Sequence, residues 1–209
     1  MTKAPPPETR DRILDAAEHA FSEHGLAGSR VAAIATDADA NKAMLYYYFN
    51  SKDGLYTAVL ERLADRVVAM AETVLEGDDV PPEQRLFAFV QGYADLLADN
   101  PRILRIIVRE LLSGAERILP LFLARAPHIL GAFWQCVKQG QAAGTINPDL
   151  DFRVVIPVLI APHLMFNVGS TVFGDRIPLD PEHVRTMFQE TAMAIARDGV
   201  LCSPPQEQA

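Results

Sequence analysis

The 209-residue sequence predicts an all-α protein of about nine helices. Almost every segment places apolar residues at spacings of three and four, the pattern of a helix with one buried face. No run alternates apolar and polar residues as a half-buried strand must. The breakers cut the chain into helix-length pieces: Gly25, Asn50 with Ser51, Gly77 with Pro81 and Pro82, Asn100 with Pro101, Ser113 with Gly114, and Gly144. Hydrophobic residues make up 49% and charged residues 22%, ample to bury a core.

The first helix is expected from residue 8 to about 24, where Ile13, Ala17 and Phe21 recur every four residues and Gly25 supplies the stop. A short second helix, 31 to about 36, follows Ser29 as its N-cap. Residues 37–40 turn, and Asn41 caps a third short helix ending near 49. A long fourth helix runs from 52 or 53 to about 75. Five more are expected: 83–98, 102–112, 119 to about 141 with a bend near Pro127, 151–172, and 181 to about 198. The 151–172 helix contains Pro157 and Pro162, so it is expected to be kinked or split. Its β-branched stretch, 154–160, has no partner strand and is assigned to a buried helix. A disordered proline-rich arm (4–7) and a polar tail (203–209) flank the helices.

Charge and motif content narrow the function. With 19 Lys+Arg against 27 Asp+Glu, the net charge of -8 excludes a protein that coats nucleic acid by bulk charge, though not one with a local patch. Cys136 and Cys202 form no CxxC pair, which fits a reducing cytoplasm and excludes a disulfide scaffold or zinc module. The start, MTKAPPPETR, lacks a signal peptide's apolar core. The apolar stretch 154–166 is too short to span a bilayer, so a cytoplasmic protein with no membrane partner is expected. Histidines 19, 24, 128, 163 and 183 show no metal-ligand spacing, and GxSxG and phosphate-loop motifs are absent. No enzyme, metal or cofactor is expected.

Three short helices within fifty residues must pack on one another to be stable. Phe21, Leu26, Val31, Ile34, Ala35, Ala38, Leu45 and Phe49 are the apolar positions for that core. About four residues join the second helix to the third, as in a helix-turn-helix, which sets the start of its second helix in the DNA major groove. The residues there are Asn41, Lys42, Ala43, Met44, Tyr46 and Tyr47.

Residues 8–60 resemble the DNA-binding domain of tetracycline-repressor-type (TetR) transcription regulators. The matching positions are Ile13, Ala16, Ala17, Phe21 and Gly25, then Ser29, Ile34 and Ala35, then Leu45, Tyr46, Phe49, Lys52 and Leu55, with LYYYFNSK (45–52) the most specific run. The resemblance implies an N-terminal helix-turn-helix domain, residues 1–55, and a C-terminal ligand-binding and dimerisation bundle, residues 56–209. It implies that Ser29, Arg30, Tyr46, Tyr48 and Lys52 hold backbone phosphates. Base reading falls to Asn41, Lys42, Met44 and Tyr47. The chain departs from the family's pattern at Asp39, where glycine is usual, at Ala43, and at Met44, where serine or threonine is usual. Aspartate tolerates positive φ, so Asp39 need not break the turn. Residues 1–56 carry six basic and eight acidic side chains, so the acids are expected to face away from DNA.

In the resembling family the bundle encloses a small-molecule cavity. Tyr93, Arg109, Phe122, Trp134, His163 and Asn167 are the candidates to line it here, each large or polar and each weighed against plain core packing. For His163 the preferred role is a hydrogen bond within the Pro162 kink, and for Arg105 and Arg109 an ion-pair face. The last two helices, with Val155, Val158, Leu159, Met165, Phe166 and Val172, then Met187, Phe188, Ala192 and Ile195, imply a two-fold seam. The expected function is a ligand-responsive homodimeric repressor that binds a palindromic operator and answers a largely apolar effector. The alternative is a helical small-molecule-binding or partner-binding protein with weak or no DNA affinity.

Overall fold

Helix α1 (Pro7–Gly28) realises the four-residue periodicity: Ile13, Ala17 and Phe21 are all fully buried. Gly25 interrupts it at φ 65°, the left-handed region that glycine enters without steric cost. The computed structural model describes residues 7–76, 79–173 and 180–202. The tail 203–209 and all of the proline arm but Pro7 lie outside those residues. Eight further helices follow among the described residues: α2 (Val31–Asp37), α3 (Lys42–Phe49), α4 (Lys52–Leu75), α5 (Pro82–Asp99), α6 (Pro101–Leu112), α7 (Ile118–Ala142), α8 (Phe152–Phe173) and α9 (Pro181–Val200). No strand forms among them, and one isolated antiparallel bridge joins Ile146 to Leu201.

The chain packs as two compact units, Met1–Arg66 with Asn100–Ala124, and Val67–Asp99 with Arg125–Ala209. The first holds all of segment 1–55 and adds the following part of α4 to Arg66, α6 and the start of α7. Its core joins Phe21 of α1, Ile34 of α2, Leu45 and Phe49 of α3, Leu55 and Leu60 of α4, and Ile103 and Ile106 of α6. Each large apolar side chain buried this way contributes roughly 1.5–3 kcal/mol, which two- and three-turn helices cannot supply alone. Phe21 meets Tyr56 edge-on at 4.9 Å, and the Tyr56 hydroxyl donates to the buried Glu110 carboxylate at 2.7 Å. Burial and that bond push the Tyr56 phenol well above its ordinary value.

In the second unit, Phe89 of α5 and Phe133 of α7 meet edge-on at 4.5 Å. Arg85 is buried, with its Nη1 donating to the Leu75 carbonyl at 2.7 Å and its Nη2 to the Gln139 side chain. It thereby closes the last turn of α4.

Several expectations change. The N-cap of α2 is Arg30, which offers no side-chain bond; Ser29 instead donates to the Ala20 and Gly25 carbonyls of α1 at 3.0 and 2.7 Å. Helix α8 is one continuous helix despite Pro157 and Pro162. Its stretch 154–160 is buried on one face only: Val155 and Leu159 are in the core, while Val154 and Val158 are exposed. Over Arg153–Ser170, α8 is long and apolar enough to cross a membrane by length and composition alone, with only 17% of that window buried.

Candidate nucleic-acid interface

Everything that orients α3 is built from short local devices. Asn41 precedes it in an extended conformation, and its Oδ1 accepts the Met44 N–H at 2.8 Å, satisfying one of the free donors of the first turn. Asp39 holds the turn at φ 47°, in the position that glycine usually fills. From α1, Arg12 donates through Nε to the Ala38 carbonyl at 3.1 Å and through Nη2 to that of Asp39 at 3.2 Å. Arg12 was invisible in the sequence because its targets are backbone atoms 26 and 27 residues away. After α3, Gly54 lets α4 begin at once: a Cβ there would stand 2.1 Å from the Phe49 carbonyl oxygen.

Helical geometry then sorts the eight residues of α3 into faces. Leu45 and Phe49, four apart, are buried in the unit's core. Met44 and Tyr48 flank them, half-buried against the same core. Lys42, Ala43, Tyr46 and Tyr47 occupy the opposite arc, with Tyr46 48% and Tyr47 63% exposed. Arg30 and Asn41 are exposed as well. The Tyr47 ring rests edge-on against Tyr48 at 5.3 Å, which fixes its direction without covering it.

Some of the residues expected to hold phosphate are already engaged. Ser29 is 4% exposed and bonded to α1. The Lys52 ammonium donates to the Ser29 carbonyl at 3.1 Å and that of Ala27 at 3.4 Å, so it ties the start of α4 to the α1–α2 link. By contrast, Arg30 and Lys42 make no side-chain hydrogen bond or ion pair to a described residue.

Several acids of the first unit are paired with arginines that follow in sequence. Arg62 pairs with Asp15 and Glu18, both at 2.6 Å, Arg105 pairs with Glu23, and Arg117 with Asp53 at 3.1 Å. The first unit therefore carries 12 Lys+Arg against 12 Asp+Glu, and the second carries 7 against 15. The net charge of -8 belongs entirely to the second unit.

Residues 13–59 match the model of the family described as bacterial regulatory proteins, tetR family. The chain is 34% identical over 144 residues to the HTH-type transcriptional repressor NicS of Pseudomonas putida, covering 68% of each chain. It is 32% identical over 165 residues to the HTH-type transcriptional repressor SCO4008 of Streptomyces coelicolor, covering 74% of this chain and 79% of that one. The chain belongs to the tetR family. The regulator's fold is also that of the fatty acid degradation regulator FadR from Bacillus halodurans, at a TM-score of 0.74 and 19% identity over 94% of this chain and 98% of that one. It is a DNA-binding transcriptional regulator.

The six residues assigned to an effector site are divided between the two units. Arg109 and Phe122 lie in the first unit, and the other four in the second. Arg109 donates to the Phe21 and Glu23 carbonyls of α1 at 2.7 and 2.9 Å and lines a polar pocket of about 360 Å³ with Tyr56, Glu110 and Arg117. Phe122 packs on the edge of that unit's core. Trp134 is exposed under the Lys138 ammonium at 4.7 Å, on a separate pocket of about 620 Å³. His163 is buried, edge-on to Phe188 at 5.5 Å, and burial holds its pKa below the ordinary value despite the opposing charge of Asp95. The Asn167 amide donates to the His163 carbonyl one turn earlier in α8, at 2.9 Å. Tyr93 is half-buried, and burial pushes its hydroxyl up to about 12.

Proposed function

We propose that the regulator is a ligand-responsive repressor that reads a palindromic operator as a homodimer through the exposed arc of α3. The observation that carries this reading is that arc itself: Lys42, Tyr46 and Tyr47 point outward while Leu45 and Phe49 anchor the helix from behind. Arg30, Tyr46 and Tyr47 supply phosphate donors; Lys52 and Ser29 act by holding the α1–α2 link, and Tyr48 and Met44 by seating α3. Residues 1–55 form the reading domain and 56–209 the regulatory one. NicS and SCO4008 are both repressors by name, which supports the direction of control.

Dimerisation is supported by α8 and α9. Val154, Val158 and Met165 of α8 and Met187 and Ile195 of α9 are exposed. A groove of about 640 Å³ runs between the helices, with Pro162, Phe188 and Ala192 among its walls. Phe166 and Phe188 stack at 4.2 Å and hold the two helices in register. Val155 and Leu159 belong to the core, and the Val172 side chain lies outside the described residues. The exposed apolar face of α8 is thus a seam for a second copy, since α9 beside it carries charged residues that a bilayer would not accept.

The effector is a largely apolar small molecule bound in the second unit near Tyr93 and His163. A FadR from Bacillus subtilis of the same fold has been crystallised with stearoyl-CoA. Helix α4 runs without a break from the first unit into the second, and it is the route by which occupancy alters the reading heads.

Binding to the DNA upstream of the protein's own coding sequence, followed by fluorescence anisotropy over a salt series, tests this reading. Arg30→Ala is expected to weaken binding and to flatten its salt slope by about one charge per half-site. Absent or salt-insensitive binding by the unaltered protein would leave the helical carrier as the better reading.

A further inference from the structure

The polar pocket of about 360 Å³ in the first unit takes no part in reading DNA. Small-molecule sites begin at about 300 Å³, so it is large enough for a small ligand. Its walls come from the Gly25 break of α1, from α4, from the end of α6 and from the link to α7.

Glu110 and Tyr56 are its buried members, 5% and 4% exposed. The Glu110 Oε1 accepts the Tyr56 hydroxyl at 2.7 Å. Among the described residues the carboxylate makes no other hydrogen bond and no ion pair. A carboxylate buried without a cation is costly, and folded proteins ordinarily supply one. Tyr56 cannot play that part, because its phenol is neutral and is pushed well above its ordinary value. The second oxygen of Glu110 is therefore an acceptor for which the described residues provide no donor.

The mouth carries the opposite charge. Arg109 and Arg117 line it, and both are exposed. Arg109 bonds to the neutral carbonyls of Phe21 and Glu23, so no carboxylate cancels its charge. Arg117 gives Nη2 to Asp53 at 3.1 Å and holds its guanidinium 5.8 Å from the centre of the Tyr56 ring. Its other N–H groups are bonded to no described residue, and such a fork suits a carboxylate. Glu116 shares the mouth but is exposed, where water screens it. A wholly anionic ligand would be repelled by Glu110, and a wholly cationic one by the arginines. A zwitterion satisfies both ends.

We infer that this pocket binds a free α-amino acid, with its ammonium on the Glu110 carboxylate and its carboxylate on Arg117. It is a second ligand site, in the first unit, apart from the apolar effector assigned to the second.

Isothermal calorimetry of the full-length protein with each proteinogenic L-amino acid at millimolar concentration tests the inference. At least one should bind at one site per chain. Its N-acetyl form, which lacks the ammonium, and its methyl ester, which lacks the carboxylate, should each bind about tenfold more weakly or worse. That comparison needs no variant. Glu110→Gln keeps an oxygen for the Tyr56 hydroxyl and removes the charge, so it should lose a similar factor, as should Arg117→Gln. The inference is overturned if no amino acid binds, if the N-acetyl form or the ester binds as well as the parent, or if both variants bind like the unaltered protein. Calorimetry reads the ligand directly, so such a failure leaves the DNA-reading role of α3 untouched.

Discussion

At the scale of single residues, His163 places a titratable ring inside an apolar layer of the second unit. It is 2% exposed, with Phe188 against its edge and Asp95 as the acid acting on it from α5. Burial lowers its folded-state pKa more than Asp95 raises it. The unfolded chain therefore binds the proton more readily than the folded one. The stabilisation associated with neutral His163 is complete above the unfolded value of about 6.5 and is lost as pH falls through the lower folded value. Melting temperatures between pH 7.5 and 5.5 should fall for the unaltered protein, and the fall should be shallower in His163→Gln. Parallel curves would assign the acid sensitivity to other groups. Cys136, also buried, is pushed above the ordinary thiol range by burial, which makes it a packing residue and a poor nucleophile.

At the scale of elements, α6 acts as a clasp on α1. Arg109 caps two carbonyls at the end of α1 just before the Gly25 break, and Arg105 pairs with Glu23 in the same turn. The guanidinium adds charge-assisted bonds to carbonyls at the point where Gly25 breaks the helix. Arg109 is partly exposed, so its removal should cost only about 1 kcal/mol after solvent screening. Arg109→Ala is expected to lower stability by that amount in urea and to weaken operator binding through a loosened α1–α2 link. The salt slope should stay unchanged, because Arg109 is placed to meet backbone carbonyls and not phosphate. A reduced slope would instead make it a direct DNA contact. The equivalent device in the second unit is Arg85, closing α4 at Leu75.

At the scale of the whole molecule, charge and apolar surface are divided between the units. The first is neutral, so local placement of Arg30 and Lys42 governs its field, while the second holds the excess acid. An acidic regulatory unit repels DNA and confines affinity to the reading heads. The apolar excess lies on α8 and α9. Ile195→Glu alters an exposed residue, so the protomer should fold normally yet sediment as a monomer at micromolar concentration. Its operator affinity should fall with it, because a single head buries too little surface for specific binding. A variant that remains dimeric would move the seam elsewhere.

Apart from the end of α1, which runs four residues past 24, helix bounds were legible in the sequence to within a residue or two, from Asn41 at the start of α3 to Pro82, Pro101 and Pro181 in the first turns of α5, α6 and α9. Caps, prolines and four-residue periodicity act over one or two turns, so the sequence states them directly. The same local signals carried the run 45–52 and with it the family. Which polar atoms remain free was a different question. Ser29, Lys52, Arg12 and Arg109 are bound to backbone carbonyls as far as 88 residues away, and no spacing rule foretells such a partner. Met44 and Tyr48 are half-buried against a core that extends beyond α3, which spacing within α3 does not reveal either. The sequence by itself determined the helices, their order and the residue types at the recognition helix. Only the tertiary structure decided which of those residues still have a donor to offer, because a hydrogen bond made inside the protein is one that DNA can no longer receive.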